Sequence, residues 1–231
     1  MRAILFDMDG TLLDSMHAWY EAEVGYLKDQ GIDEDELDYE RLLTSGSDEV
    51  VSYLRDDLGM EVDAEEMRQE ALQNMERFYA SAATAKDGVE RALQELAEMG
   101  IPMAVGSSTP EHLCEIGMET TELRSYFDFI LSATESGLPK FQPAFFEEAA
   151  SRFGVDPEEM VVFDDALLAL RAARECGCPT VGVADEGYLQ DEDAVQYESD
   201  EFIYSFADFS AEDFAERMGW NHADQREEED E

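Results

Sequence analysis

The first apolar block, Arg2 to Phe6, reads as a short buried strand, with nearly every position hydrophobic. From Ser15 to about Ala85 the spacing changes to that of helices. Apolar residues recur every three or four positions in "MHAWYEAEVGYL", "VVSYLRDDLGM" and "MRQEALQNMERFYA", and Gly31, Gly46 and Gly59 punctuate the pieces. After Asp87-Gly88 helices and strands alternate. Helix "VERALQELAEMG" leads to strand "PMAVGS", "PEHLCEIG" to "FDFILSA", "PAFFEEAASRFG" to "MVVFDD", and "LLALRAARECG" to "PTVGVA". A weak strand "EFIYSF" and a helix "AEDFAERMG" close the pattern. Alternation of this kind, with near-continuous apolar strands, predicts an α/β fold: a parallel sheet sandwiched by helices. The helical stretch interrupts that sheet just after its first strand. The expected organisation is a core from residues 1–14 and 86–220, an inserted all-helical cap over 15–85, and an acidic disordered tail over 221–231.

Ligands of such sheets bind at the carboxyl ends of the strands. The polar residues expected there are Asp7 and Asp9 with Gly10-Thr11, Ser107 in "VGSST", Lys140 in a loop, and Asp164-Asp165. Any one of these has a plain structural reading as a turn, a cap or a surface residue. Four carboxylates, a hydroxyl and an amine at one rim are much harder to ascribe to chance. Two carboxylates one residue apart also repel and raise each other's pKa. Either something positive sits between Asp7 and Asp9, or one of them carries a proton.

Composition narrows the options. Apolar residues make up 44% of the 231, enough for a substantial core, and no run is long enough to span a membrane. The amino terminus lacks the pattern of a signal peptide, so a cytoplasmic location is expected. Cys114, Cys176 and Cys178 read as reduced thiols, with no second pair to complete a zinc site around Cys176-x-Cys178. The charge is extreme: 15 basic against 58 acidic residues, net −43, with lysine only at 28, 86 and 140. That excludes a nucleic-acid binder, which needs a basic face. It also favours a monomer and suits a salt-rich solvent, which would screen the self-repulsion.

Taken in order, "DMDGT", the serine of "VGSS", Lys140 and "VFDD" resemble the four motifs of the haloacid dehalogenase-like hydrolases. The similarity covers about residues 2–206, in the phosphatase and β-phosphoglucomutase branch that carries a helical cap. It implies a Rossmann-like core and a phosphoryl-transfer site. Asp7 would be the nucleophile and Asp9 the general acid and base. Asp7, the Asp9 carbonyl and Asp165 would hold Mg²⁺, with Asp164 acting through water. Ser107, with Ser108 beside it, and Lys140 would bind the phosphoryl oxygens. The implied partner is a small-molecule phosphate ester. In this reading Trp19, Tyr20 and the Ser45-Ser47 loop of the cap face the substrate, although the two aromatics also read as packing between cap and core.

Some positions depart from the family pattern. Ala166 stands where a serine is common, and Phe141 where proline follows the lysine. The mutases carry a histidine at the place of Trp19 and a basic residue in the next cap loop, where "TSGSDEV" offers Asp48 and Glu49. These departures favour a phosphatase over a sugar-phosphate mutase, and the intact acidic set weighs against a non-catalytic binding protein. Charge makes its own prediction. At about 1 M salt the Debye length falls to about 3 Å. The melting temperature should therefore climb between low and molar KCl, and a flat calorimetric response would remove the salt-adaptation reading.

Overall fold

Among the described residues, six strands form one sheet in the order β3-β2-β1-β4-β5-β6. They are β1 Ala3–Phe6, β2 Met103–Ser107, β3 Ile130–Ser132, β4 Met160–Asp164, β5 Thr180–Val183 and β6 Glu201–Ile203. The computed structural model describes residues 2–29, 31, 37, 47–60, 63–185 and 192–220. Every pairing is parallel, so all six carboxyl ends open on one edge. The chain steps outward from β1 to β2 and β3, then returns to lay β4 on the other side of β1. Such a reversal opens a crevice beside the central strand. Phe6 is level with Phe163 of β4 and Val105 of β2, so the chain leaves all three strands at nearly one height.

Alternation along the strands sends side chains to two cores. Ile4, Phe6, Met103, Val105, Val161 and Phe163 pack on one face, under α4 (Val89–Glu98), α5 (Glu111–Thr120) and α10 (Ala211–Arg217). Ala3, Leu5, Ala104, Leu131, Met160 and Val162 pack on the other, under α7 (Pro143–Phe153) and α8 (Leu167–Cys176). Local signals set these helices: Pro143 opens α7 and left-handed Gly154 closes it.

Between β1 and α4 lie α1 (Met16–Asp29), α2 (Ser47–Asp56) and α3 (Ala64–Ser81), the last capped by the Asp63 carboxylate on the amides of Glu65 and Glu66. Ala18, Ala22, Ala71, Met75 and Tyr79 join the core of the first sheet face. Val24, Tyr26, Leu27, Leu37, Tyr53 and Leu54 form a separate small cluster. No helix among the described residues is long and apolar enough to cross a membrane.

Three details differ from the sequence pattern. "TSGSDEV" reads as a loop, yet helix begins at Ser47, as a serine followed by acidic residues favours at a helix start. The last strand ends at Ile203, and Phe206–Asp208 forms a 3₁₀ turn. Short helices α6 (Ala133–Ser136) and α9 (Glu192–Glu198) carry too few turns to show a period. The tail over 221–231 lies outside the described residues, as do Ser45 and Gly46.

Phe163 holds the first core together, its ring 4.8 Å from Phe6, 5.4 Å from Phe214, 5.9 Å from Phe209 and 6.0 Å from Phe206. Phe163→Ala should cost about 3–5 kcal/mol of unfolding free energy, measured by urea titration.

Candidate active site

Asp7 follows β1 directly, and its amide still donates to the Phe163 carbonyl at 2.8 Å, which keeps it beside β4. Asp164 ends β4 and Asp165 follows it. These three carboxylates are buried, and each offers an oxygen within 4.8 Å of the others. Lys140, also buried, donates from Nζ to Asp7 Oδ1 and lies 2.8 Å from Asp164 Oδ2. The sequence scatters these four residues, and the fold brings them to one point.

Backbone geometry closes the first loop over them. Gly10 has φ +84°, and a Cβ there would lie 2.5 Å from Asp165 Oδ2. Glycine is required both for the conformation and for the approach. Thr11 Oγ1 donates to Asp165 Oδ1 at 2.9 Å, and the Ala166 amide donates to Asp164 Oδ1 at 2.9 Å. Asp164 Oδ2 faces the Lys140 ammonium at 2.8 Å.

Charge in the cluster is unbalanced: three buried carboxylates face one ammonium. Burial pushes Asp7 up, against the pull of Lys140 and with the help of Asp9. Burial raises Asp164 to about 6, again against Lys140, and raises Asp165 well above the carboxylate range, with Asp7 and Asp164 adding to the shift. Lys140 is held more firmly charged than a free lysine: Asp164 and Asp7 together outweigh its burial. This donor set suits a hard divalent cation: all oxygen, buried, and short of positive charge.

Asp9 sits apart from the cluster, half-buried. Its Oδ1 accepts from Ser15 Oγ at 2.6 Å and from the Tyr79 hydroxyl, and its Oδ2 accepts from Thr109 Oγ1 at 2.8 Å. Ser107 is buried at the end of β2, where its Oγ accepts from the Thr109 amide at 3.1 Å. The Thr109 carbonyl in turn accepts from Ser132 Oγ at 2.8 Å. Ser108 is exposed, and its carbonyl accepts from Thr134 at 3.3 Å.

Of the cap residues, Trp19 donates from Nε1 to the Tyr79 hydroxyl at 3.0 Å, which links it to Asp9. Tyr20 instead packs on the small cluster around Tyr53 and Leu54, among the helices between β1 and α4 rather than on the sheet's core. The Ser47 side chain lies outside the described residues.

Ser15, Thr109 and Tyr79 were not singled out from the sequence. Ser15 and Thr109 lie next to recognised motifs and could have been found by proximity. Tyr79 carries no local signal, because in its helix it reads as one more apolar-face residue. Lys86 was noted only as one of three lysines. Its Nζ donates to the Gly10 carbonyl at 2.6 Å, to the Ala184 carbonyl at 2.8 Å and to Asp185 at 3.0 Å, tying the first loop to the end of β5.

Known proteins resemble this chain in sequence or in fold. The phosphorylated carbohydrates phosphatase of Thermotoga maritima is 25% identical over 177 residues, covering 77% of this chain and 82% of that protein. Hexitol phosphatase B of Escherichia coli K12 is 29% identical over 187 residues, covering 74% and 80%. The crystal structure of CbbY from Rhodobacter sphaeroides in complex with phosphate superposes with a TM-score of 0.74 at 24% identity, over 90% of this chain and 96% of that one. Residues 1–177 match the sequence profile of haloacid dehalogenase-like hydrolases. With its parallel sheet and its acidic cluster at the strand ends, the chain belongs to the haloacid dehalogenase-like hydrolases.

Proposed function

We propose that the protein is a Mg²⁺-dependent phosphatase that hydrolyses a small phosphomonoester through an aspartyl-phosphate on Asp7. The observation that carries this reading is the meeting of Asp7, Lys140, Asp164 and Asp165 at the end of the central strand. The phosphatases among its relatives support the same reaction class. In the domain division that goes with it, residues 15–85 form a cap over a core made of 1–14 and 86–220.

Asp7 attacks phosphorus, and the bond from phosphorus to the ester oxygen breaks. Asp9 gives its proton to the departing oxygen, so the product leaves as an alcohol. The Asp9 carboxylate then takes a proton from water. That water oxygen attacks the aspartyl-phosphate, freeing inorganic phosphate and the Asp7 carboxylate. Asp7, Asp165 and the Asp9 carbonyl would hold Mg²⁺, with Asp164 acting through water; the ion would supply positive charge to offset the crowded carboxylates and the phosphoryl oxygens. Lys140 and Ser107, with Ser108 at the rim, bind those oxygens.

The proximity of Asp7 and Asp9 in sequence now has a physical account. Asp7 has a cation partner, and Asp9 is held away from it by three hydroxyls. A mutase would need a second phosphate grip in the cap. The histidine expected of a mutase at position 19 is a tryptophan that here donates to Tyr79.

Turnover of p-nitrophenyl phosphate with and without Mg²⁺ tests the reading. Asp7→Asn should abolish it, and Asp9→Asn should lower kcat on alkyl phosphates by about 10²–10⁴-fold. Isomerisation of a hexose 1-phosphate primed by a bisphosphate would replace the phosphatase with a mutase. Inactivity across a panel of esters, with Asp7→Asn indistinguishable from wild type, would leave a binding protein.

The site also predicts a pH dependence of stability. A buried carboxyl with a raised folded pKa binds its proton more tightly in the fold than in the unfolded chain. Asp164 rises from 3.8 to about 6. Its contribution is therefore fully present below the unfolded value and lost as pH climbs through about 6. In chelator, the melting temperature of wild type relative to Asp164→Asn should fall across that window. Added Mg²⁺ should restore it most strongly above the window, read by calorimetry.

A further inference from the structure

Among the described residues Tyr79 is the largest side chain wholly buried, and it belongs to α3 of the helical insertion rather than to the sheet. Its ring fits against Gly117 of α5, where even a methyl group would come within 3.1 Å of Cδ1. Packing alone would be served equally well by phenylalanine. The hydroxyl is what needs explaining, because it lies in a chain of hydrogen bonds with a fixed direction.

An indole nitrogen can only donate. Trp19 Nε1 gives its hydrogen to the Tyr79 oxygen at 3.0 Å, so the one proton of the Tyr79 hydroxyl points onward, to Asp9 Oδ1. Ser15 Oγ reaches the same oxygen at 2.6 Å, and Thr109 Oγ1 holds the opposite oxygen, Oδ2, at 2.8 Å. One edge of the Asp9 carboxyl is therefore fixed from the insertion side and the other from the core. The carboxyl cannot turn about its own bond without breaking contacts on both sides.

We propose that Tyr79, oriented by Trp19, is a positioning residue that holds the Asp9 carboxyl where the leaving oxygen collects its proton. The inference rests on the proton-transfer role given to Asp9 above. It adds that the insertion supplies part of the acid's mounting, so the core sheet alone does not complete the site. Tyr79 does not touch the substrate. Its effect should appear only in the step that needs a well-aimed proton.

That gives a readout that simple loss of packing would not move. Phenolate is a poor leaving group and needs the proton; p-nitrophenolate leaves with little help. kcat/KM reports the steps up to ester cleavage, free of the later hydrolysis of the aspartyl-phosphate. Tyr79→Phe keeps the ring and removes only the hydroxyl. It should lower kcat/KM on phenyl phosphate by about tenfold, a fraction of the full general-acid contribution, and on p-nitrophenyl phosphate by no more than about twofold. Trp19→Phe removes the donor that aims the hydroxyl and should shift the same ratio in the same direction by less. It carries the comparison if Tyr79→Phe does not fold.

Equal losses on both esters, or no loss on either, would overturn the positioning role while leaving the phosphatase reading in place. Wild-type protein inactive toward both esters in Mg²⁺ would instead overturn the phosphatase reading, and this inference with it.

Discussion

The Lys140 ammonium, buried against Asp7 and Asp164, is the contact on which the rest of the structure turns. Removing a charge from water costs several kcal/mol even after the protein relaxes. A cluster of three carboxylates and one amine at the end of a sheet is therefore a place where the fold is under electrostatic load. The neighbouring geometry relieves it. Thr11 and the Ala166 amide each direct a hydrogen toward a carboxylate oxygen, and Gly10 brings the first loop close to Asp165. The imbalance that remains is a demand for positive charge. A bound cation would meet that demand.

The same constraint explains how a chain this acidic uses its few basic residues. Lys86 spans two backbone carbonyls and Asp185, and Arg91 donates to the carbonyls of Phe206, Ala207 and Phe209. Arg217 makes a paired contact with Glu201. These cations brace places where the chain crosses between distant segments. The global field of a chain with net charge −43 repels anions, so any attraction for one must be local.

Most of the core was legible in the sequence because its signals are local. A buried parallel strand is a short apolar block, and Asp7, Ser107 and Asp164 stand where such blocks stop. Lys140 is different: its loop position says little, and the order of the motifs gave it meaning. The helical insertion was legible as helix, but not in how it meets the core. Tyr79 looks like any apolar-face residue until Trp19, sixty positions earlier, and Asp9, seventy positions earlier, are placed around its hydroxyl. Hydrogen bonds over such separations leave no periodic trace. Tyr20 shows the reverse case: an aromatic one residue from Trp19 turns to a different cluster because a helix rotates each successive residue by about 100°.

The place of β1 has a consequence for how the molecule comes into being. It precedes the other five described strands in the chain and is one of the two central strands of the sheet, flanked by β2 and β4. Asp7 waits through 133 further residues for Lys140, and Thr11 through 154 for Asp165. Until β4 is made, one edge of β1 lacks its neighbour and the acidic cluster lacks Asp164 and Asp165. The nascent chain must shelter an apolar strand for most of its synthesis, a demand that long-range parallel pairing always imposes. The cluster is therefore completed late: a chain cut short before β4 carries Asp7 without the two carboxylates that meet it.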